Sequence, residues 1–213
     1  VYIYSIIPFL TFRSLEQIRN NISNLNLNIK IIGSGGGFSY GNQGISHNPI
    51  EDISVIRSIP NIDIYNPGFE EEGKIAFKYL FKSKRPSYLR LGKRADVEIK
   101  NKLFSQKKIG EGLEIIKGKD ILIISTGNII EEVLNSVKKL NEIKIFPTVI
   151  SCYCLKPISV SYYKKIIKKY NHVFAIEENN EIGGLNSIIS EIIAQNKELN
   201  PNFHNIALKD KVH

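Results

Sequence analysis

Methionine and tryptophan are absent from this chain of 213 residues, and cysteine occurs only twice. Cys152 and Cys154 lie two positions apart on a predicted strand end, where they cannot easily bridge each other. This spacing argues against a disulfide framework and favours two buried or half-buried thiols in a reducing compartment. The further soft ligands that a zinc site needs are also missing, so we expect no metal site around them.

Long apolar runs and a secretory leader are missing as well. No run of eighteen apolar residues occurs, and the opening segment, 1–10, has neither a basic front nor a small-residue cleavage site. These absences argue against a membrane partner and predict a soluble, cytoplasmic protein. A start at Val1 without any methionine is unusual for a complete product, and we interpret the chain as a fragment, a degenerate gene product or a processed subunit.

The composition predicts a globular protein with a sizeable core, since 42% of the residues are hydrophobic and 23% are charged. The net charge of +8 invites the hypothesis of a nucleic-acid partner. The lysines, however, are spread over surface-type positions and form no compact basic block with aromatics. We therefore predict no nucleic-acid binding, although a positive field would help to recruit a phosphorylated substrate.

Short β-type runs alternate with helical runs through the first half of the chain. We predict strands over 1–6, 29–32 and 62–65, and helices over 10–21, 49–58 and 69–81. This order is typical of a mainly parallel sheet covered by helices. A polar, lysine-rich stretch over 94–110 follows, which we interpret as an interdomain linker.

A second α/β series occupies the rest of the chain. Strands are predicted over 120–126, 143–150 and 172–177, and apolar residues recur at helical spacing over 130–137 and 185–193. The predicted fold class is therefore α/β, with two mainly parallel, helix-covered sheets. We place the two domains at residues 1–105 and 106–213.

The most informative stretch is the glycine-rich loop 33–47, GSGGGFSYGNQGISH, between a buried strand and a helix that starts near Pro49. Loops in this position bind ligands in open parallel sheets, and glycines let the backbone approach a ligand closely. A histidine just before a helix, here His47, could exchange protons with such a ligand. The bare pattern is equally open to a structural turn, and it matches neither a Walker loop nor a dinucleotide fingerprint.

Longer sequence strings favour the functional interpretation of this loop over the structural one. The pattern GxxGISHxxIEDxxxIRxIPN over 41–61 resembles the pyrimidine-domain signature of transketolases and deoxyxylulose-phosphate synthases. Upstream, FLTFRSLEQIR over 9–19 is similar to the start of that family's phenylalanine-containing helix, and PSYLRLGK over 86–93 is similar to its strand with anion-binding basic residues. Further strings resemble the transketolase C-terminal domain: IISTG at 123–127, Lys156-Pro157, the glutamates at 177–178 and the glycines at 183–184.

The resemblance implies roles for individual residues. Phe9 would stack on the aminopyrimidine ring of thiamine diphosphate, with Tyr4 and Phe12 as alternatives if the alignment slips. His47 would assist proton transfer beside the reactive carbon of the cofactor. From the residues alone, Phe9 and Phe12 are better interpreted as core residues of a helix start, and His47 as a turn histidine.

The resemblance also implies a place for the substrate phosphate. Arg90 or Lys93 would bind it, as a planar fork or as a point charge respectively. From the residues alone, both are equally typical of an exposed strand end. Glu177 and Glu178 are interpreted as framework or dimer contacts of the C-terminal domain.

Three departures from the family pattern limit these implications. The glutamate that protonates the pyrimidine ring in this family would lie upstream of the stretch matching Val1 to Phe9. Nothing resembles the Gly-Asp-Gly and distant Asn that bind magnesium and diphosphate, so Mg²⁺ and the diphosphate would be bound by a partner subunit. Gly35 stands where many transketolases have a substrate-binding histidine, and Gln43 where they have an aspartate.

Together these features predict the C-terminal subunit or fragment of a split transketolase-like transferase. Residues 1–105 would be an N-terminally incomplete pyrimidine-binding domain, and residues 106–213 the transketolase C-terminal domain. The chain would form a homodimer within a heterotetramer that also contains a diphosphate-domain subunit. The complete enzyme would move a two-carbon ketol unit from a ketose phosphate to an aldose. The alternatives are a deoxyxylulose-phosphate synthase-like subunit, a 2-oxoacid dehydrogenase β-like subunit, and a truncated remnant without catalysis.

Overall fold

Two five-stranded, helix-covered sheets make up the protein, and this confirms the predicted α/β class. The structure is a computed structural model that describes residues 1–92, 99 and 108–211. Most of the predicted linker, 94–110, and the predicted boundary at 105/106 lie outside the described residues, so the domain division stays a prediction. No helix in the described ranges is long and apolar enough to cross a bilayer.

The first sheet has the strand order β1-β2-β4-β3-β8, and its first four strands are parallel. These strands are β1 (Tyr2–Ile6), β2 (Lys30–Ser34), β3 (Asp63–Tyr65) and β4 (Ser87–Leu91). The helices of this half are α1 (Ile7–Thr11), α2 (Leu15–Gln17) with a π-helical continuation (Ile18–Ser23), α3 (Asp52–Ser58) and α4 (Glu70–Lys82), with a 3₁₀ turn at Gly41–Gln43. Ile53 and Ile56 bury one side of α3 in the core beneath the sheet.

The second sheet has the order β10-β9-β6-β7-β5, parallel except for the antiparallel edge strand β5. Its strands are β5 (Leu113–Ile116), β6 (Leu122–Thr126), β7 (Thr148–Ser151), β9 (His172–Asn180) and β10 (Asn202–Leu208). Its helices are α5 (Ile130–Glu142), preceded by a 3₁₀ turn (Gly127–Ile129), α6 (Val160–Ile167) and α7 (Leu185–Ala194). Every residue of the central strand β6 is buried, as its apolar sequence predicts for a strand covered on both faces.

The strand predicted over 143–150 begins later than expected, at Thr148. Lys144 adopts a left-handed conformation with φ 61°, and Ile143 is 66% exposed, so the chain turns here before the strand starts. The thiols of Cys152 and Cys154 are free and buried, as predicted. Strands β5 and β10, at the two edges of the second sheet, were not predicted from the sequence.

A short strand from the second half of the chain completes the first sheet. This strand, β8 (Cys154–Lys156), pairs antiparallel with β3. The Lys156 ammonium donates hydrogen bonds to the carbonyls of Arg57 and Ile59, 3.0 and 2.6 Å away. The two family-like halves therefore share a sheet as well as an interface.

Buried hydrogen bonds continue the contact between the halves beyond β8. The Asn66 amide donates to Thr126 Oγ1 at 3.1 Å, and Thr126 Oγ1 donates to the carbonyl of Cys152 at 2.7 Å. Two backbone hydrogen bonds flank this pair, from Asn66 N–H to the Tyr153 carbonyl and from Gly127 N–H to the Asn66 carbonyl. Because all these groups are buried, each bond holds the halves at a fixed distance.

A buried carboxyl group lies at the same contact, on the first turn of α4. Glu72 is fully buried and accepts a hydrogen bond from Gly68 N–H at 2.8 Å. Burial raises the pKa of Glu72 to about 7, and the Gly68 N–H and the nearby Ser151 hydroxyl oppose the rise. Between its ordinary pKa of 4.5 and about 7, the folded protein binds more protons at this site than the unfolded chain. The stability that Glu72 contributes is therefore lost as the pH rises through about 7.

We expect Glu72→Gln to relieve this loss, because the amide keeps a hydrogen-bond acceptor and carries no charge at any pH. Between pH 5 and pH 8 the free energy of unfolding should shift in favour of the variant by ~2 kcal/mol. Chemical denaturation of both proteins at each pH measures the shift. Glu70→Gln, on the exposed side of the same helical turn, serves as the control. A pH profile for Glu72→Gln parallel to that of the wild type would contradict the assignment.

Candidate functional site

Polar and aromatic side chains converge beyond the carboxyl ends of the first sheet. Phe9 lies on α1, which directly follows β1, and the loop 35–51 follows β2. Asn66 follows β3, Arg90 lies near the end of β4, and Glu178 reaches in from β9 of the other half. Ligands of open parallel sheets bind in this position, so this edge is the candidate site.

Three consecutive glycines let the loop lie against other side chains. A Cβ atom at each position would come too close to a different group: 1.9 Å from the Tyr40 ring at Gly35, 2.8 Å from the Arg90 guanidinium at Gly36, and 2.0 Å from the Glu178 carboxylate at Gly37. The first and third of these glycines also have positive φ angles, 86° and 65°. The glycines thus serve close packing within the chain as well as turn formation.

The structure brings His47 and Phe9 together. Their ring centroids are 5.1 Å apart at an interplanar angle of 76°, an edge-to-face contact. Tyr40 contacts the same imidazole, with 5.9 Å between centroids and an angle of 77°. The Arg13 guanidinium carbon lies 4.2 Å from the centroid of the Phe9 ring, so that ring already accepts a flat, electron-poor group on its face.

One ring nitrogen of His47 is engaged within the loop. Nδ1 lies 2.9 Å from Ser46 Oγ, and the His47 N–H donates to the Gly44 carbonyl. Nε2 makes no hydrogen bond among the described residues. The side chain is only half-buried, so this second nitrogen is available to a ligand. An imidazole held at one nitrogen and accessible at the other is suited to general acid–base chemistry.

Arg90 occupies a different environment from the one predicted for a phosphate ligand. Its side chain is 5% exposed, and Nε lies 2.9 Å from Oδ2 of Asp52, whose side chain is fully buried. The guanidinium also donates to the carbonyls of Pro49 and Glu178 at 3.1 and 3.4 Å. The Tyr88 hydroxyl donates to Asp52 at 2.6 Å, and burial together with this carboxylate raises the pKa of Tyr88 well above its ordinary value. A phosphate would have to displace these partners, and the phosphate role of Arg90 stays a prediction.

Glu178 ties the second half to the glycine-rich loop. Its Oε2 accepts a hydrogen bond from Phe38 N–H at 3.3 Å. Burial raises the pKa of the Glu178 carboxyl, while the Phe38 N–H and the Arg90 charge oppose the rise. Its neighbour Glu177 accepts hydrogen bonds from the N–H groups of Leu185 and Asn186, both at 2.8 Å, and so caps α7. The predicted framework role therefore fits Glu177, whereas Glu178 lies against the site.

The other predicted site residues are not gathered around His47. Tyr4 is 69% exposed on the edge strand β1, and Phe12 is 37% exposed at the end of α1. Within the described ranges, neither ring contacts Phe9 or His47. Lys93 lies outside the described residues, so its phosphate role stays a prediction. The described part of the chain also contains no cluster of three or more His, Cys, Asp or Glu side chains that could hold a metal.

Tyr40, Arg13 and Glu178 also contact the site, although the sequence does not single them out. Tyr40 lies in the glycine-rich loop and Arg13 in a quoted family string, but neither has a residue type or spacing that would distinguish it. Glu178 is 140 positions away from the amide that it binds, so only the folded chain reveals the contact.

Two family domains match the chain in sequence. The transketolase pyrimidine binding domain matches residues 3–96, and the transketolase C-terminal domain matches residues 110–213. A transketolase C-terminal section from Methanocaldococcus jannaschii is 33% identical over 99% of the chain. One subunit of an apulose-4-phosphate transketolase from Actinobacillus succinogenes is 30% identical over 88% of the chain. The chain spans 66% and 60% of the length of these two relatives.

Further comparisons cover more distant enzymes and solved structures. A 1-deoxy-D-xylulose-5-phosphate synthase from Dictyoglomus turgidum is 30% identical over 93% of the chain, which covers 32% of that protein. A split gene transketolase described as an inactive beta4 tetramer superposes with a TM-score of 0.85 at 26% identity, over 98% of this chain and 67% of that one. A transketolase mutant from Pichia stipitis shares the fold, with a TM-score of 0.71 at 20% identity over 83% of this chain and 26% of that one.

We expect Asp52→Ala to destabilise the fold by ~3–5 kcal/mol, because it leaves the buried Arg90 charge without its carboxylate. Chemical denaturation measures the loss. The control is Lys209→Ala, which breaks a surface ion pair with Glu181 whose lysine side chain is 70% exposed and should change stability little. A loss for Asp52→Ala as small as that of the control would show that the buried pair contributes little.

Proposed function

This chain belongs to the transketolase family, and we propose that it is the part of a split transketolase-like enzyme that holds the pyrimidine ring of the cofactor. The observation that carries the proposal is the contact of His47 with Phe9 beyond the carboxyl ends of the first sheet. The Phe9 ring, a possible stacking surface, and the His47 imidazole, a possible proton-transfer group, are thus in direct contact. The reaction class is the transfer of a two-carbon ketol unit from a ketose phosphate to an aldose.

The residues of the site fit one end of thiamine diphosphate. Phe9 would offer a ring face for the flat aminopyrimidine, and the planar Arg13 guanidinium that lies over the same ring supports this use of the face. When bound, the cofactor supplies the carbon nucleophile that carries the two-carbon unit, while the protein orients the reactants. His47 would hold or release a proton at Nε2, with Nδ1 held by Ser46.

The other end of the cofactor needs ligands from elsewhere. No acidic or histidine cluster suited to Mg²⁺ occurs among the residues that the structure describes. We therefore propose a diphosphate-domain subunit as partner, in a heterotetramer built around a dimer of this chain. The apulose-4-phosphate transketolase relative from Actinobacillus succinogenes, which is itself one subunit, supports this proposal. The chain spans 60% of that subunit but only 32% of the synthase from Dictyoglomus turgidum.

The separated chain should bind thiamine diphosphate very weakly, because the contacts to metal and diphosphate would come from the partner. Isothermal titration calorimetry with Mg²⁺ present measures this affinity. We expect no heat of binding at micromolar concentrations of cofactor. Micromolar or tighter binding would overturn the division of the cofactor between two subunits. Bovine serum albumin titrated in the same way corrects for dilution heat.

In a complex reconstituted with the diphosphate-domain partner, we expect His47→Ala to lower kcat for ketol transfer by about a hundredfold or more. A thermal melt of each protein separates catalysis from folding, since a histidine that only supports the turn would lower Tm instead. His204→Ala is the matched control, because His204 is exposed on β10 and stacks on Phe174. Near-normal turnover in a destabilised His47→Ala enzyme would contradict the proposed role. Turnover only with a 2-oxoacid donor would favour the deoxyxylulose-phosphate synthase-like or the 2-oxoacid dehydrogenase β-like alternative.

A further inference from the structure

The space beside Gly35 is filled by an aromatic ring from further along the same loop. A Cβ atom built on Gly35 would lie 1.9 Å from Cε2 of Tyr40 and within 2.9 Å of two more ring atoms. The φ angle of Gly35, 86°, also disfavours any other residue. The ring of Tyr40 thus occupies the space in which a side chain at position 35 would lie.

The same ring packs against His47. Tyr40 and Phe9 both make edge-to-face contacts with the imidazole, at angles of 77° and 76°. The torsion that turns an imidazole about its Cβ–Cγ bond has broad minima, so local geometry does not fix the ring orientation. Two aromatic neighbours and the hydrogen bond of Ser46 to Nδ1 supply that restraint.

Of the three side chains that lie over the glycines, only Tyr40 contacts the histidine. Arg90 is held in the buried pair with Asp52, and Glu178 binds the Phe38 amide. Both therefore support the loop from beneath. Tyr40 is half-buried and links the loop backbone to the imidazole that faces a ligand.

We propose that Tyr40 is a positioning residue, whose ring takes the room left by Gly35 and fixes the His47 imidazole in one orientation toward the substrate. The consequence for proton transfer rests on the proposed function, whereas the orientation itself is a property of the folded chain. The proposal assigns the effect to the ring, so Tyr40→Phe should preserve it and Tyr40→Leu should lose it.

The first test uses the chain alone and needs no activity. The imidazole C–H resonances of His47, assigned by their loss in His47→Gln, lie in the ring currents of Tyr40 and Phe9. Loss of the Tyr40 ring current shifts these resonances by itself, so the orientation is read from their line widths and from their nuclear Overhauser contacts with the Phe9 ring. We expect broader lines and weaker Phe9 contacts in Tyr40→Leu and in Gly35→Ala, which would push the Tyr40 ring aside. Tyr40→Phe should leave the resonances close to the wild-type positions.

Gly41→Ala is the matched control for Gly35→Ala. Gly41 also has a positive φ angle, 56°, and beyond its two chain neighbours no atom lies within 4 Å of a Cβ placed there. The control therefore introduces an alanine at a positive φ angle in the same loop, without a clash against any residue beyond its chain neighbours. If Tyr40→Leu fails to fold, as judged by its amide spectrum, the comparison of these two glycine variants decides the structural question.

The second test measures ketol transfer in the reconstituted complex. We expect Tyr40→Leu to lower kcat about tenfold, because a misplaced proton-transfer group loses part of its effect, while KM for the ketose phosphate changes less than about twofold. Tyr40→Phe should retain near-wild-type kcat.

Unchanged His47 line widths and Phe9 contacts in Tyr40→Leu would overturn the proposal. So would equal changes in Gly35→Ala and Gly41→Ala, wild-type kcat in Tyr40→Leu, or equal losses of kcat in Tyr40→Phe and Tyr40→Leu. If the wild-type complex transfers no ketol unit to any aldose, the proposed function fails. The resonances of the separate chain then decide the role of Tyr40 on their own.

Discussion

The buried ion pair of Arg90 and Asp52 is the constraint around which this edge of the molecule is arranged. Two charges removed from water remain stable only if nearly all their hydrogen-bonding groups find partners. Here the partners come from separate parts of the chain: the Tyr88 hydroxyl on the same strand, the Pro49 carbonyl before α3, and the Glu178 carbonyl at the end of β9. Satisfying the pair therefore fixes three segments at once. The glycine-rich loop then packs directly on the guanidinium.

This arrangement makes the site a product of both halves of the chain. The loop that carries His47 is held from beneath by Glu178, which belongs to the second sheet. The hydrogen bonds of Asn66 and Thr126 hold that sheet in a fixed position against the first one. Because the proposed catalysis would need a geometry maintained within a fraction of an ångström, it would also need a rigid contact between the halves. The second half can thus affect the proposed reaction although His47 lies in the first half.

Local pattern and family resemblance predicted much of the fold and the centre of the site, and the rest depended on distant contacts. The apolar run of β6 and the apolar stripe of α7 were predicted because burial on a sheet imposes their period. Phe9 and His47 were predicted as site residues because they lie in strings that resemble the family. The buried partners of Arg90 were not predicted, since no local pattern shows that Asp52 would meet it in the core. The strand β8 has only three residues, too few to show the repeating pattern of apolar residues that predicts a strand.

The pairing of β8 with β3 bears on how the gene can be divided. A break between the two family domains would leave β3 as an unpaired edge in the first product, and bare edges template aggregation. The second product would carry a strand with no sheet to join. Such a division of the gene would leave an unpaired strand edge in each product, whether or not the products are active. Selection should therefore keep these two domains on one polypeptide, and gene splitting or domain shuffling should be tolerated only outside them.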